Sequence, residues 1–380
     1  MTLLCPCCAQ STIRPLLCTP EMPVNSCILR WSESSSLSFA QKSMDLAQCE
    51  TCGFFWNTTF DVAQTTYDTE YESTQMHSRV FREYLKQTAL DWLQSLDTPP
   101  RSILEVGCGQ GEFLTTLAEL TQANLLGFDP AFRPDGANPV QIIPKVLPAK
   151  PTATFDLVVN RMTLEHIAAP QDFLANLFQW VAPGGTMITQ VPNAGRIISE
   201  QHVYELFYEH VNYFTQASLL HALQRAGFND NRAEVTYGDQ HLTIFSRRGP
   251  SPVPAASASA PGLQNTLPAS LQRFTAHWNQ ILKDRHTSGR DVWIWGTGSR
   301  ATTFLSFVSA QNALHGAIDI NPLREGSYVL GTACKTFLPQ ALENRKNLSI
   351  IVMNPIYKDE IAEALGAISA EAELLLIDDF

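Results

Sequence analysis

Basic charge is what this 380-residue chain has least of: 26 Lys and Arg stand against 37 Asp and Glu, and the net charge is −11. Nucleic acid and anionic membrane surfaces both need a basic field, so neither is expected as a partner. Long apolar runs are missing too, none approaching the ~20 residues of a membrane span. Met1-Thr2-Leu3-Leu4 leads directly into cysteines, without the basic and apolar regions of a secretion signal. The expectation is a cytoplasmic protein, monomer or homodimer, acting on a small molecule. Nine cysteines are few for this length, and in a reducing compartment they point to metal or free thiols before disulfides. An apolar share of 44% is that of a globular protein, and the length calls for two or three domains.

Cys5-Pro6-Cys7-Cys8 and Cys49-Glu50-Thr51-Cys52-Gly53 form two C-x-x-C pairs. Each can present two thiolates at the angle a tetrahedral Zn²⁺ prefers, so Cys5, Cys8, Cys49 and Cys52 are the expected metal ligands. The pairs are far apart for a compact zinc ribbon, which requires a folded insertion and leaves Cys7, Cys18 and Cys27 as rivals. Four thiolates leave no open position, so the metal is structural. A segment of ~60 residues buries too little apolar surface to be comfortable without it.

Glu105-Val106-Gly107-Cys108-Gly109-Gln110-Gly111 lies between a strand-like run at Ser102-Ile103-Leu104 and a helix-like run from Glu112 to Leu120. Such a loop permits a tight turn and close approach of a ligand, and the next helix offers N–H groups. Asp129 closes the following strand-like run, at a spacing suited to ribose hydroxyls. Glu105 would welcome an amine and a sulfonium, but not a pyrophosphate. This E-x-G-x-G-x-G pattern resembles motif I of the class I S-adenosylmethionine methyltransferases. Phe155 to Asn160, Leu164-Glu165-His166-Ile167 and Val181-Ala182-Pro183-Gly184-Gly185-Thr186 look like that family's fourth strand, downstream helix and Pro-Gly-Gly turn. The resemblance implies a cofactor set of Glu105, Gly107, Gly109, Gly111, Asp129, Pro130, Leu147 and Asn160. No acid near 143–149 suits the adenine amino group, so backbone near Val146 and Leu147 would hold it. Upstream, apolar positions between Met76 and Leu96 predict a helix with one buried stripe, preceded by Tyr67 and Tyr71.

A Pro/Ala/Ser-rich stretch at 249–266 reads as a linker. Beyond it, Asp291-Val292-Trp293-Ile294-Trp295, Gly296-Thr297-Gly298-Ser299-Arg300-Ala301 and Asp319 repeat a strand, glycine loop and acid. Two readings stand here: a dinucleotide site, or a cofactor-free lobe that walls a substrate cleft with Arg300 facing a phosphate. The expected architecture is α/β: a zinc-binding module (1–65), a Rossmann-like methyltransferase domain with a helical lead-in (66–248), a linker (249–266) and a C-terminal Rossmann-like lobe (267–380).

That layout resembles the zinc-containing nucleotide-sugar C-methyltransferases, which alkylate the carbon beside the ketone of a TDP-linked 4-keto-deoxysugar in natural product or polysaccharide biosynthesis. Phe207-Tyr208-Glu209-His210-Val211-Asn212-Tyr213-Phe214-Thr215 is similar to the family's Y-x-E-H-x-x-Y-F-S/T segment. The resemblance implies His210 as the base α to the ketone, oriented by Glu209, with His166 as the second histidine and Tyr71 as the upstream tyrosine. An enolate so formed would attack the S-adenosylmethionine methyl group. Phe207 stands where the family has tyrosine, with Tyr208 one place later as the candidate phenol. Thr297-Gly298-Ser299-Arg300 replaces a tyrosine- and lysine-bearing loop. O- or N-methylation of another metabolite, an NAD-dependent oxidoreductase on the Gly296 loop, and a non-enzymatic zinc scaffold are the alternatives.

Overall fold

A computed structural model describes residues 3–67, 70–134, 139–249 and 266–380. The expected linker therefore lies, but for its two end residues, outside the described residues. The main sheet has seven strands, in the order Phe228–Thr236, His241–Arg248, Val181–Pro192, Phe155–Arg161, Ser102–Val106, Asn124–Phe128 and Gln141–Ile143. The last five run parallel; His241–Arg248 is antiparallel to them, and Phe228–Thr236, antiparallel to it in turn, closes the edge in the direction of the five. Ile103, Leu104, Leu157 and Val158 are buried, as parallel strands covered on both faces require. Strand order reverses between Ser102–Val106 and Phe155–Arg161, which opens a crevice beyond their carboxyl ends. This is the expected α/β class with its Rossmann-like methyltransferase core sheet.

The lead-in helix runs from Arg79 to Gln94, starting three residues later than its apolar pattern because the Ser78 hydroxyl accepts from the Phe81 N–H and caps it. It buries Phe81, Leu85, Ala89 and Trp92 against Ile103 and Phe113. After Phe155–Arg161 comes a single 3₁₀ turn, Leu164–His166, before the helix Pro170–Trp180. Pro183-Gly184-Gly185 is a bulge inside the long strand Val181–Pro192, with Gly184 at φ +75°.

The N-terminal sheet joins Ile13–Cys18, Asp45–Cys49 and Phe55–Asn57 to a fourth strand, Asn212–Tyr213, supplied from far along the chain. Residues 208–213 are thereby anchored in the N-terminal sheet: the Asn57 N–H donates to Val211 O (2.9 Å) and the Asn57 amide to Tyr208 O (3.4 Å). The C-terminal lobe is an all-parallel sheet in the order Thr336–Phe337, Leu314–Ile318, Asp291–Trp295, Leu348–Val352, Ala372–Leu376. Its own order reverses next to Gly296. No helix among the described residues is long and apolar enough to cross a membrane.

Candidate active site and cysteine cluster

The four sulfurs of Cys5, Cys8, Cys49 and Cys52 lie within 4.8 Å of one another, and all four residues are buried. Each pair is shaped by the same turn. The Ala9 N–H donates to Cys5 O (2.8 Å) and the Gly53 N–H to Cys49 O (2.9 Å), both residues having positive φ. Cys5 and Cys52 sulfurs are 3.7 Å apart and those of Cys8 and Cys49 3.4 Å. A tetrahedral ion with bonds of about 2.3 Å sets its sulfurs about 3.8 Å apart, so the cluster fits Zn²⁺. The rival cysteines point elsewhere: Cys7 toward Ser218 O, Cys18 toward Thr19 O, Cys27 toward the Ser299 hydroxyl.

At the crevice, the glycines differ in what they answer to. A Cβ on Gly107 would sit 2.0 Å from Thr163 Oγ1, at φ +74°, so this glycine is demanded by protein packing. A Cβ on Gly109 would meet nothing within 4 Å; the open side lies there. Gly111, also at positive φ, turns the loop into the helix Glu112–Ala118. Asp129 is held inside the loop, its carboxylate accepting from the N–H groups of Gly109 (2.8 Å) and Ala131 (2.7 Å). One lone-pair direction on each oxygen is left for hydroxyls. Pro130 is exposed beside it and Leu147 half-buried.

Glu105 is 2% exposed, and its Oε2 has no hydrogen-bond partner among the described residues. Burial pushes its carboxyl up to about 7, the Asp129 and Glu112 charges adding to the rise and Arg161 opposing it. A buried, unsatisfied carboxylate is relieved by a cation, which fits a ligand bearing an ammonium and a sulfonium. Asn160, fully buried, donates to Val106 O (3.0 Å) and leaves its own Oδ1 unpartnered toward the same strand ends.

The fold brings His166 and His210 together edge to face, ring centres 4.7 Å apart, and Thr163, three residues before His166, donates to Gly107 O of the glycine loop (3.4 Å). The Tyr67 hydroxyl is 2.8 Å from His166 Nδ1, and Glu209 O is 3.1 Å from the same nitrogen. With a proton on Nδ1 the imidazole donates to the carbonyl; without one it accepts from the phenol. Desolvation lowers both imidazoles, His210 well below the usual 6.5, with the His166 charge adding to the effect there. His210 is half-buried and lines a cleft with Asn193, Arg196, Glu205, Tyr213 and Gln240.

The Glu209 carboxylate, 1% exposed, accepts from Ser26 N–H (3.0 Å) and the Asn25 amide (3.2 Å), and its charge opposes the desolvation that lowers His166. Tyr71 stacks obliquely on Tyr67 at 5.2 Å and lies against the Glu209 carboxylate, whose charge, after burial, raises the phenol. Phe207 packs on the His210 ring at 4.8 Å. Tyr208 instead turns into the N-terminal module, where its hydroxyl donates to Thr59 O (2.9 Å) and accepts from Asp61 N–H (3.2 Å). As a candidate phenol for the site it is corrected: Phe207 to His210 is a turn closed by His210 N–H on Phe207 O (3.0 Å), which brings its two ends together and leaves Tyr208 on the other side. Tyr67 is the phenol that meets His166. Glu165, 2% exposed and pushed up to about 8 by burial, completes a group with both histidines.

Arg300 is engaged within the protein. Its guanidinium donates twice to Glu205 (2.6 and 3.0 Å) and once to Gln240 (2.8 Å). Asp319 accepts from the N–H and hydroxyl of Thr297 (2.9 and 2.6 Å) and from Asn321 N–H (2.9 Å).

Residues 76–233 match the family model of a methyltransferase domain, and residues 262–376 that of a C-methyltransferase C-terminal domain. A phosphoethanolamine N-methyltransferase of Triticum aestivum is 27% identical over 177 residues, 42% of this chain and 34% of that protein. A protein named probable S-adenosylmethionine-dependent methyltransferase from Mycolicibacterium smegmatis is 29% identical over 179 residues, 42% of this chain and 66% of its own length. The chain thus spans about a third of one relative and just under two thirds of the other. A solved S-adenosylmethionine-dependent methyltransferase of Archaeoglobus fulgidus aligns with 44% of this chain and 94% of that chain, at 16% identity and a TM-score of 0.37. The two family matches fall on the two α/β sheets in turn, a methyltransferase domain on the first and a C-methyltransferase C-terminal domain on the second.

Proposed function

We propose that the protein methylates carbon next to the ketone of a small substrate, a nucleotide-linked 4-keto-deoxysugar, with His210 as the base. The observation that carries this reading is the pair of desolvated imidazoles, one of them lining a cleft and the other three residues after Thr163, whose hydroxyl meets Gly107 O of the glycine loop (3.4 Å). The match to a C-methyltransferase C-terminal domain supports carbon as the acceptor.

Glu105, Asp129, Asn160 and the loop 107–111 would hold S-adenosylmethionine, which supplies a methyl group on a cationic sulfur. Carbon beside a ketone is a poor nucleophile until it loses a proton. His210, neutral at pH 7 because its charged form is desolvated, takes that proton and leaves an enolate. The pair Tyr67–His166 can hydrogen-bond the enolate oxygen, the phenol donating. Aromatic side chains around the imidazoles exclude water from the carbanion. Zn²⁺ on Cys5, Cys8, Cys49 and Cys52 would hold together the module on which residues 208–213 are anchored. Methylation of a hydroxyl by the same base is the runner-up.

The test uses purified protein with S-adenosylmethionine and a TDP-linked 4-keto-deoxysugar in D₂O. The wild type should exchange the proton α to the ketone and fix the methyl on that carbon. His210→Asn should lose both, by at least about 100-fold, and keep its affinity for S-adenosylhomocysteine. A variant that still exchanges the proton at the wild-type rate removes His210 as the base; a methyl found on oxygen removes the carbon acceptor.

A further inference from the structure

Asn25 is 1% exposed and sits in the N-terminal module, yet all of its side-chain hydrogen bonds end on the two segments that build the histidine site. Its Oδ1 accepts from the Thr66 N–H (3.0 Å); its Nδ2 donates to Thr66 O (3.2 Å) and to Glu209 Oε2 (3.2 Å). Turning the amide over would set oxygen against two acceptors and nitrogen against a donor, so its orientation is fixed by its partners. Next along the chain, Ser26 N–H donates to Glu209 Oε1 (3.0 Å). Beyond it, 27–29 run antiparallel to 70–72, with the Glu72 N–H on Cys27 O (2.8 Å) and an Ile28–Tyr71 bridge.

One carboxamide thus ties the backbone just before Tyr67 to the carboxylate just before His210. Tyr67 and Glu209 each approach His166 Nδ1, the first by its hydroxyl and the second by its carbonyl. We infer that Asn25 is a positioning residue for this site: its amide sets the distance between the Tyr67 phenol and His166, and so decides which partner the imidazole nitrogen takes. The inference rests on the proposed role of the histidines.

The experiment uses full-length protein labelled with ¹⁵N at its histidines and saturated with S-adenosylhomocysteine, the His166 signal being assigned by its loss in His166→Asn. Tyr67→Phe gives the reference resonance of His166 without the phenol. Asn25→Ala should move the His166 Nδ1 signal in the direction of Tyr67→Phe, and the double variant should coincide with Tyr67→Phe alone. Zinc content should be unchanged, and affinity for S-adenosylhomocysteine altered by less than about threefold. If the alanine variant does not fold, Asn25→Asp, of the same shape but without the donor, carries the same comparison. A His166 signal unmoved in the Asn25 variants overturns the inference, as do shifts that simply add in the double variant. Zinc and cofactor affinity lost together in both variants would make Asn25 a folding residue only and overturn it equally. A wild type that does not retain S-adenosylhomocysteine sinks the methyl-transfer reading instead, and the His166 comparison can still be made on the free protein.

Discussion

Glu105→Gln should make the empty protein more stable at pH 8 while weakening its hold on S-adenosylmethionine. The native carboxyl is pushed from 4.5 to about 7 by burial, and its Oε2 has no partner. Between those values the folded chain holds a proton that the unfolded chain has released, so stability falls as pH rises through this window and levels off above 7. At ~1.4 kcal/mol for each tenfold in the proton equilibrium, the buried charge costs about 3 kcal/mol at pH 8. A glutamine amide in the same place leaves a donor unsatisfied at roughly 1 kcal/mol, for a net gain of about 2 kcal/mol. In thermal unfolding that is a rise of roughly 4–8 °C at pH 8, turning into a small loss near pH 4.5, where the carboxyl is largely neutral and the ~1 kcal/mol cost of the amide donor remains. The same change removes the anion facing a cationic ligand and should weaken S-adenosylmethionine by about 10–100-fold, as expected for a hydrogen bond to a charged group. Unfolding followed at both pH values, with calorimetric titration of the ligand, decides the matter. A variant no more stable than its parent at pH 8, or one with the parent's affinity, refutes the account of Glu105 as a carboxylate strained for want of a cation.

Cys49→Ser should release the metal bound by the parent and lower stability, since a structural zinc contributes its binding energy to folding; metal analysis and urea unfolding check both, and equal zinc content in the two proteins contradicts the cluster. Gly107→Ala should cost about 2–4 kcal/mol from the Thr163 clash and the left-handed backbone. Gly109→Ala should cost only about 1–2 kcal/mol yet lose more S-adenosylhomocysteine affinity, because its methyl group enters open space on the ligand side; equal losses of affinity would place the cofactor elsewhere. Because desolvation, followed by the His166 charge, holds His210 well below 6.5, its free base persists into mild acid, and the acid limb of kcat/KM should lie below pH 6.5. An acid limb at or above 6.5 would mean an imidazole in contact with water or with an anion.

What could be read in the sequence was local. The strand Asp291–Trp295 was legible to the residue, because a wholly buried apolar run ends at a glycine that must turn. Helix starts were less so: the pattern predicts a helix from Met76, but capping by Ser78 delays it, while the helix of the C-terminal lobe begins at Ser299, inside the stretch read as a glycine loop. His166 was expected on a helix and sits in one 3₁₀ turn, too short to leave a periodic signal. Which of Phe207 and Tyr208 meets His210 depends on Asn212–Tyr213 joining a sheet made by residues 13–57, and no short-range pattern announces that pairing. Asn25 and Ser26 carry no motif and reach Glu209 only through the folded N-terminal module.

The two glycine loops show why the match of a loop to a pattern does not assign a ligand. Both are latched by an aspartate at the end of the neighbouring strand: Asp129 takes N–H groups of Gly109 and Ala131, Asp319 those of Thr297 and Asn321. The difference lies two residues before the first glycine. In the first loop that position is Glu105, buried and short of a partner; in the second it is Ile294, buried in an apolar core. The second loop is also braced from within the protein, Arg324 donating to Thr297 O (3.0 Å) and, through its other nitrogen, to Glu72 O. Only the first loop holds an unmet negative charge, and a buried charge is the feature a cationic cofactor can satisfy and a neutral backbone turn cannot. Glu72, 1% exposed, then links the lobes, accepting from Arg133 near the first loop and from Asn321 beside the second. The repeated fold therefore leaves one loop with a charge that a cationic ligand could meet, as the proposed function requires, and braces the other from within the protein.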